Sequence, residues 1–324
     1  MCHSHNDYWR RRPLFSALAV GCASVEADVW LSQDGRDILV GHDRRALSPD
    51  RTLQSLYIDP LVQILDAMNN PTLRYSSPQP RGVFAKDPNT TLILFIDIKD
   101  DPVRTWPMVL EQLGPLRDMG YLSRHDKTID ANQSFWPGPI TVVGTGNIVR
   151  HRDVNIGPNL EEWQKKHDVF LDAPLHLLTE TALIQGDVSY HTYELEHEFY
   201  TASAPFNKAI GSVLTGFSKH QMETLRNQIQ IAKHLNVKSR LWGLPRWPIS
   251  YRDYVWKVLV EEGIDLLNAN NVASAATRHW ESNYVGEFAW RCTIMSYMFL
   301  YTLGLIWYSR RLAFRRRLNQ KLAS

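Results

Sequence analysis

Between residues 24 and 271, short β-rich runs alternate with stretches of helical period. Ser24–Leu31 (SVEADVWL) and Ile38–Gly41 read as strands, and Leu92–Ile98 (LILFIDI) is an almost unbroken apolar run. Such a run is expected of a strand buried on both faces. Ile140–Val143, leading into Gly144-Thr145-Gly146, then Val169–Leu171, a run near Tyr200–Phe206, Ser239–Leu241 and Ile264–Leu267 supply further strands. Pro13–Cys22 reads as a helix opened by a proline that suits a first turn. Leu53–Asn69 carries a helical stripe at Leu56, Leu61, Ile64, Leu65 and Met68. Ser218 is placed to cap a helix running through His234, with Met222, Leu225, Ile229 and Ile231 or Ala232 inward, and Tyr251–Glu262 is another helix. Thr72–Asn89, polar and proline-rich, reads as a loop. This alternation predicts an α/β fold with a parallel sheet, and 324 residues fit one (β/α)₈ TIM barrel with a short tail.

After Asn271 the pattern breaks. Cys292–Tyr308 runs for 17 positions without a charge, near the lower limit for crossing a hydrocarbon core of roughly 30 Å. Trp290 and Tyr308 flank it as interface aromatics do, and Arg310, Arg311, Arg315, Arg316, Arg317 and Lys321 follow. A last barrel helix packed on the core is the competing reading, but such a helix rarely lacks charge on every face. The expectation is therefore a barrel over 1–275, a linker over 276–291, a single transmembrane helix over 292–308 and a basic tail over 309–324. Met1-Cys2-His3-Ser4-His5 shows no signal peptide, which would leave the barrel cytosolic. The positive-inside tendency instead puts the basic tail in the cytosol and the barrel across the membrane, in the secretory pathway or a mitochondrion.

Composition narrows the function. The chain is 44% hydrophobic and 22% charged with a net charge of +2, so it has no basic footprint for nucleic acid. A chain of this size buries a sufficient core without disulfides. Cys2, Cys22 and Cys292 form no CxxC metal pair, and Cys2 can meet Cys22 only if the fold brings them together. Asn89 and Asn132 begin glycosylation sequons, a weak signal at three residues each.

Candidate chemistry crowds into the first hundred residues. His3-Ser4-His5-Asn6-Asp7 comes first, Glu26-Ala27-Asp28 lies inside a strand, His42-Asp43 ends the next β run, and Asp97-Ile98-Lys99 ends the long apolar strand. Residues two apart in a strand share a side, so Glu26 and Asp28 would repel each other when ionised among apolar neighbours. A hard divalent cation, Mg²⁺ or Ca²⁺, would compensate them, with Asp97 as a third carboxylate and Lys99 near a phosphate oxygen. Histidine serves as acid or base near neutrality, and His5 and His42 flank the carboxylates in sequence. His3 with His5 also forms the HxH pair that zinc hydrolases use, whereas no GxSxG supports a serine triad.

The order His5-Asn6, Glu26-x-Asp28, His42 resembles phosphatidylinositol-specific phospholipases C and glycerophosphodiester phosphodiesterases, and Asp97-x-Lys99 resembles the metal-binding region of spider sphingomyelinases D, which share that barrel. A narrower resemblance covers residues 3 to about 272. HSHNDYW, PLFSALAVG, SVEADVWL, LVGHD, RTLQSLYIDPL, YTASAPF and WPISYRDYVWKVLVEEGIDLLN are similar to the fungal altered inheritance of mitochondria protein 6 family. The resemblance implies a phospholipase C-like barrel and a metal-dependent phosphoric diester hydrolase acting on a lipid-derived or glycerophospho-alcohol substrate. It implies His5 and His42 as the acid/base pair, Glu26, Asp28 and Asp97 as metal ligands with Asn6 as a fourth, Lys99 on the phosphoryl oxygens, and Trp242 walling the substrate pocket. The H-x-x-N pattern would select His3 instead of His5, and the adjacent His-Asn pattern selects His5, which is preferred. Two departures stand out. Only four residues precede His5 where a first strand belongs, so that strand is either very short or incomplete. Asn268-Ala269-Asn270-Asn271 stands where related barrels often carry acids, a replacement that would alter the pocket, and the incomplete first strand favours the alternative of an inactive, membrane-anchored barrel that binds a headgroup or a partner.

Overall fold

The computed structural model describes residues 1–70, 79–130, 133–178, 198–280 and 283–322. Eight parallel strands close into a barrel: β1 (Cys2–Ser4), β2 (Ser24–Leu31), β4 (Leu92–Ile98), β7 (Ile140–Gly146), β9 (Val169–Pro174), β10 (Phe199–Pro205), β11 (Lys238–Trp242) and β12 (Leu266–Ala269). The short first strand is present. All three of its residues pair with β12, and His3 and Ser4 pair with β2 on the other side, so the barrel has no open edge there. A disulfide between Cys2 and Cys22 ties it to the residues leading into β2.

Two faces of each strand go to different places. Val25, Ala27 and Val29 of β2, and Leu92, Leu94, Ile96 and Ile98 of β4, join the large apolar shell between strands and helices. Their alternates point inward. Ile93 and Phe95 meet Val143 and Leu266 in a small apolar cluster inside the barrel, with Tyr200 against it. By the same alternation Glu26, Asp28 and Asp97 face the interior, beyond that apolar cluster and toward the C-terminal strand ends. The shell is covered by helices including Asp59–Met68, Pro102–Gln112, Lys219–His234 and Ile249–Glu261. Ser218 caps the third of these in a reciprocal capping box with Gln221.

Several expectations change. β3 (Ile38–Val40) pairs antiparallel with β2 and lies outside the barrel. The expected helix over Pro13–Cys22 contracts to Phe15–Leu18. β5 (Arg124–Asp130), β6 (Gln133–Trp136) and β8 (Lys166–His167) form a separate small sheet that the pattern did not announce, because its strands are polar on both sides. The sequon at Asn132 and the first part of the Thr72–Asn89 loop lie outside the described residues.

The tail departs from both readings of it. A helix, Val272–Thr277, runs across the expected boundary between barrel and linker, and a 39-residue helix then starts inside the expected linker and runs from Tyr284 to Leu322. Among the described residues it packs on the barrel at its start, where the Tyr284 hydroxyl donates to the Leu214 carbonyl (2.9 Å) and its ring lies 4.9 Å from Tyr251. Among the described residues, no helix is long and apolar enough to cross a membrane, which overturns the single-pass membrane assignment. The uncharged run Cys292–Tyr308 is diluted by Thr293, Ser296, Tyr297, Tyr301, Thr302 and Trp307, and the same helix continues directly into Arg310 and Arg311.

Candidate active site and metal centre

Strand register brings the carboxylates together. Asp28 on β2 stands opposite Asp97 on β4, and Glu26 is two residues back on the same face. One oxygen from each of Glu26, Asp28 and Asp97 lies within 4.8 Å of the others. Among the described residues, Asp28 Oδ1 and Asp97 Oδ1 are buried with no hydrogen-bond partner. Unsatisfied buried oxygens of this kind are costly unless a ligand completes them, so the donor set fits a hard divalent cation. Gly146 keeps that space open: a Cβ there would collide with Asp97 Oδ1. Glycine is further favoured by its φ of +73°.

The fixed charges are unevenly compensated. Lys99 Nζ bridges Asp97 Oδ2 at 2.7 Å and Asp28 Oδ2 at 3.2 Å. Burial alone would lower the Lys99 pKa, but Asp97 and Asp28 raise it on balance. Asp97 is pushed up to about 7, chiefly by burial, with Lys99 opposing and Glu26 and Asp28 adding to the rise. Asp28 is raised by burial and then by Glu26. Glu26 goes the other way. Burial would raise it, yet His3, Arg240 and His5 hold it well below the usual carboxylate range.

The histidines divide. His3, on β1, has no exposed surface, and both ring nitrogens are engaged: Nδ1 with Ser24 Oγ (2.7 Å) and Nε2 with the donating Arg240 Nη1 (2.9 Å). Burial first, then Arg240, lowers its pKa to about 4. His5 lies just beyond the strand end, part exposed, with Nε2 3.6 Å from Glu26 Oε2 and Nδ1 2.6 Å from the Asn270 amide. His42 has Nδ1 3.3 Å from Asp28 Oδ2 and 3.2 Å from the Tyr8 hydroxyl, which itself donates to Asp28 Oδ2 at 2.8 Å. The Trp9 ring lies 5.0 Å from that of His42.

Asn6 adopts a left-handed backbone (φ 49°), which asparagine tolerates better than most residues. That turn aims its backbone N–H at Glu26 Oε2, 3.1 Å away. Trp242 ends β11 and is 42% exposed, and the residues after it line a cavity of about 220 Å³ beside His5. The cavity is bounded by Gly243, Leu244, Arg246, Asn268 and Asn270, and Trp242 itself is not among its walls.

Three residues went unread in the sequence. Tyr8 links Asp28 to His42. Arg240, buried inside the barrel, bridges Glu26 Oε1 (3.2 Å) and Asp172 Oδ2 (3.3 Å) while its guanidinium lies 4.3 Å from the Phe95 ring centre. Asp172 is held in turn by Thr201, Ser203 and Thr145. Arg240 carried a legible signal, a charge inside a β-rich run, the same anomaly that marked Glu26 and Asp28. Tyr8 carried none.

A family model described as an AIM6-like phosphodiesterase domain matches residues 1–172. The altered inheritance of mitochondria protein 6 homolog of Arthroderma benhamiae is 39% identical over 281 residues, covering 84% of this chain and 82% of its own. Altered inheritance of mitochondria protein 6 of Eremothecium gossypii is 36% identical over 277 residues (83% and 67%), and that of Saccharomyces cerevisiae S288c is 34% identical over 294 residues (85% and 70%). Among solved structures, a glycerophosphoryl diester phosphodiesterase from Parabacteroides distasonis aligns over 89% of this chain and 87% of its own at 12% identity, with a TM-score of 0.43 that is too low to bear on activity. The chain belongs to the altered inheritance of mitochondria protein 6 family and carries its AIM6-like phosphodiesterase domain.

Proposed function

We propose that the protein is a metal-dependent phosphoric diester hydrolase acting on a lipid-derived or glycerophospho-alcohol phosphodiester. The observation that carries this reading is the pair of unpartnered oxygens, Asp28 Oδ1 and Asp97 Oδ1, in a three-carboxylate cluster with an imidazole on either side. Glu26, Asp28 and Asp97 would hold one Mg²⁺ or Ca²⁺, with the Asn6 side chain as a further oxygen donor. A bound divalent ion supplies electrophilic polarisation of a phosphoryl oxygen. Once a cation takes up the carboxylate charge, Lys99 Nζ is free to turn toward the phosphoryl oxygens. The attacking hydroxyl needs a group to take its proton, and the leaving oxygen needs a donor. His5 and His42 sit on the two sides of the cluster to divide that work. His3, enclosed between Ser24 and Arg240, serves as structure.

A barrel that binds a phosphate ester without cleaving it is the competing reading, and one observation favours it. The Lys99 ammonium already stands between Asp97 and Asp28, where it supplies part of the compensation that a cation would. One assay separates the two. Purified protein with Mg²⁺ or Ca²⁺ is incubated with a panel of glycerophospho-alcohols and phospholipids, beside His42→Ala. We expect turnover that falls roughly 10²- to 10⁴-fold in the variant while its circular dichroism is unchanged. No turnover of any panel member, or equal turnover by the variant, contradicts the hydrolase.

A further inference from the structure

We propose that the two site histidines are held as opposite neutral tautomers, His5 with its proton on Nε2 and His42 with its proton on Nδ1, and that Arg246 and Asn270 are the positioning residues that set the first. The inference rests on the reading that both imidazoles face the reacting phosphodiester, and it divides their roles. His42 accepts the proton, whereas His5 is an uncharged N–H donor that moves none.

At His5 the controlling group is Arg246. A guanidinium donates hydrogen bonds and accepts none. Arg246 Nε and Nη2 lie 2.6 and 3.3 Å from one terminal atom of the Asn270 amide, so that atom is the oxygen. The amide nitrogen therefore faces the other way, 2.6 Å from His5 Nδ1, and donates to it. The reverse orientation would set the amide N–H against the guanidinium N–H groups. With Nδ1 accepting, the single proton of a neutral imidazole resides on Nε2, which lies 3.6 Å from Glu26 Oε2 at the edge of the carboxylate cluster. The arm is anchored from behind, where Arg10 Nη1 donates to the Asn270 carbonyl at 2.9 Å.

His42 meets the opposite environment. Its Nδ1 faces the Asp28 Oδ2 carboxylate oxygen at 3.3 Å and the Tyr8 oxygen at 3.2 Å. The Tyr8 proton is already committed to Asp28, so both neighbours of Nδ1 are acceptors and the proton belongs on Nδ1. Nε2 then carries the lone pair. Among the described residues it has no hydrogen-bond partner, and the side chain is half exposed.

As the attacking oxygen bonds to phosphorus, its proton passes to His42 Nε2. The bond from phosphorus to the leaving oxygen breaks with that oxygen hydrogen-bonded by His5 Nε2–H. The leaving oxygen takes a proton from solvent water, and His42 later returns its own to solvent. His5 begins and ends the cycle in the same state. In an acid/base pair of interchangeable imidazoles, either ring could start the reaction; here the amide of Asn270 prevents His5 from presenting a lone pair to the site.

Nitrogen-15 NMR of histidine-labelled full-length protein reads the tautomers directly, at a pH above the ordinary imidazole range. His5→Gln and His42→Gln spectra supply the assignments. We expect His5 to show a protonated Nε2 and a bare Nδ1, and His42 the reverse. Asn270→Asp puts an acceptor at His5 Nδ1 and still satisfies Arg246, so the His5 pattern should invert while that of His42 stays. Arg246→Leu frees the amide to rotate and should populate both His5 forms. A protonated Nδ1 on wild-type His5 overturns the inference, as does a His5 pattern unmoved in both variants. Because this readout needs no turnover, the tautomers and the hydrolase reading fail separately.

Discussion

His3 is of a residue type that looks catalytic in the sequence, and the fold encloses it. The alternation of β1 turns it into the barrel, where Ser24 and Arg240 occupy both ring nitrogens, while two residues later His5 emerges at the strand end. The burial of His3 also has a thermodynamic signature. Its folded pKa of about 4 lies below the ordinary 6.5, so between those values the unfolded chain binds a proton there that the folded chain does not. Stability from this group therefore falls as pH drops from 6.5 toward 4, by about 1.4 kcal/mol per pH unit. In the metal-free protein Asp97, raised to about 7, works in the opposite sense, gaining stability as pH falls below that value. The difference between wild type and His3→Gln isolates the histidine. Urea unfolding at near-neutral and mildly acidic pH should show wild type losing stability relative to the variant on acidification, and parallel pH dependences would contradict the burial of an uncharged ring. The sequence placed the carboxylates and both catalytic candidates, because strand alternation is local. It could not choose between His3 and His5 by geometry, because that choice depends on Arg240, more than two hundred residues away.

At the scale of elements, the first strand is the critical piece. It has three residues, yet it carries His3 and positions His5 and Asn6 immediately after it. Its ladder to β12 and β2 is short, and the disulfide from Cys2 to Cys22 supplements it. The bridge closes a loop with a sequence separation of 20, for which chain-entropy reasoning gives about 3 kcal/mol. Reduction, or Cys22→Ser, should lower the unfolding free energy in urea by roughly that amount. Identical denaturation curves with and without reductant would show that β1 holds without the bridge. Strand and helix positions were largely legible, since β4 and the capped helix at Ser218 carry strong local signals. The disulfide was not legible, because cysteine spacing alone does not determine pairing. The small sheet of β5, β6 and β8 was missed because its burial is irregular and no apolar alternation marks it.

At the scale of the whole molecule, the barrel was legible from alternation and length, and the tail was misread. Cys292–Tyr308 lacks charge, but its tyrosines, threonines and tryptophan lower its apolarity. The architecture gathers residues from β1, β2, β4 and β11 at one end of the barrel. Glu26, Asp28 and Asp97 are proposed to form a single cation site there. Calorimetric titration of Mg²⁺ or Ca²⁺ into metal-free protein tests it most directly, with Asp28→Asn and Asp97→Asn titrated in parallel under identical conditions. One binding event is expected in the wild type, and both variants should lose it. A wild-type protein that binds neither ion at millimolar concentration, or variants that bind as it does, would contradict it.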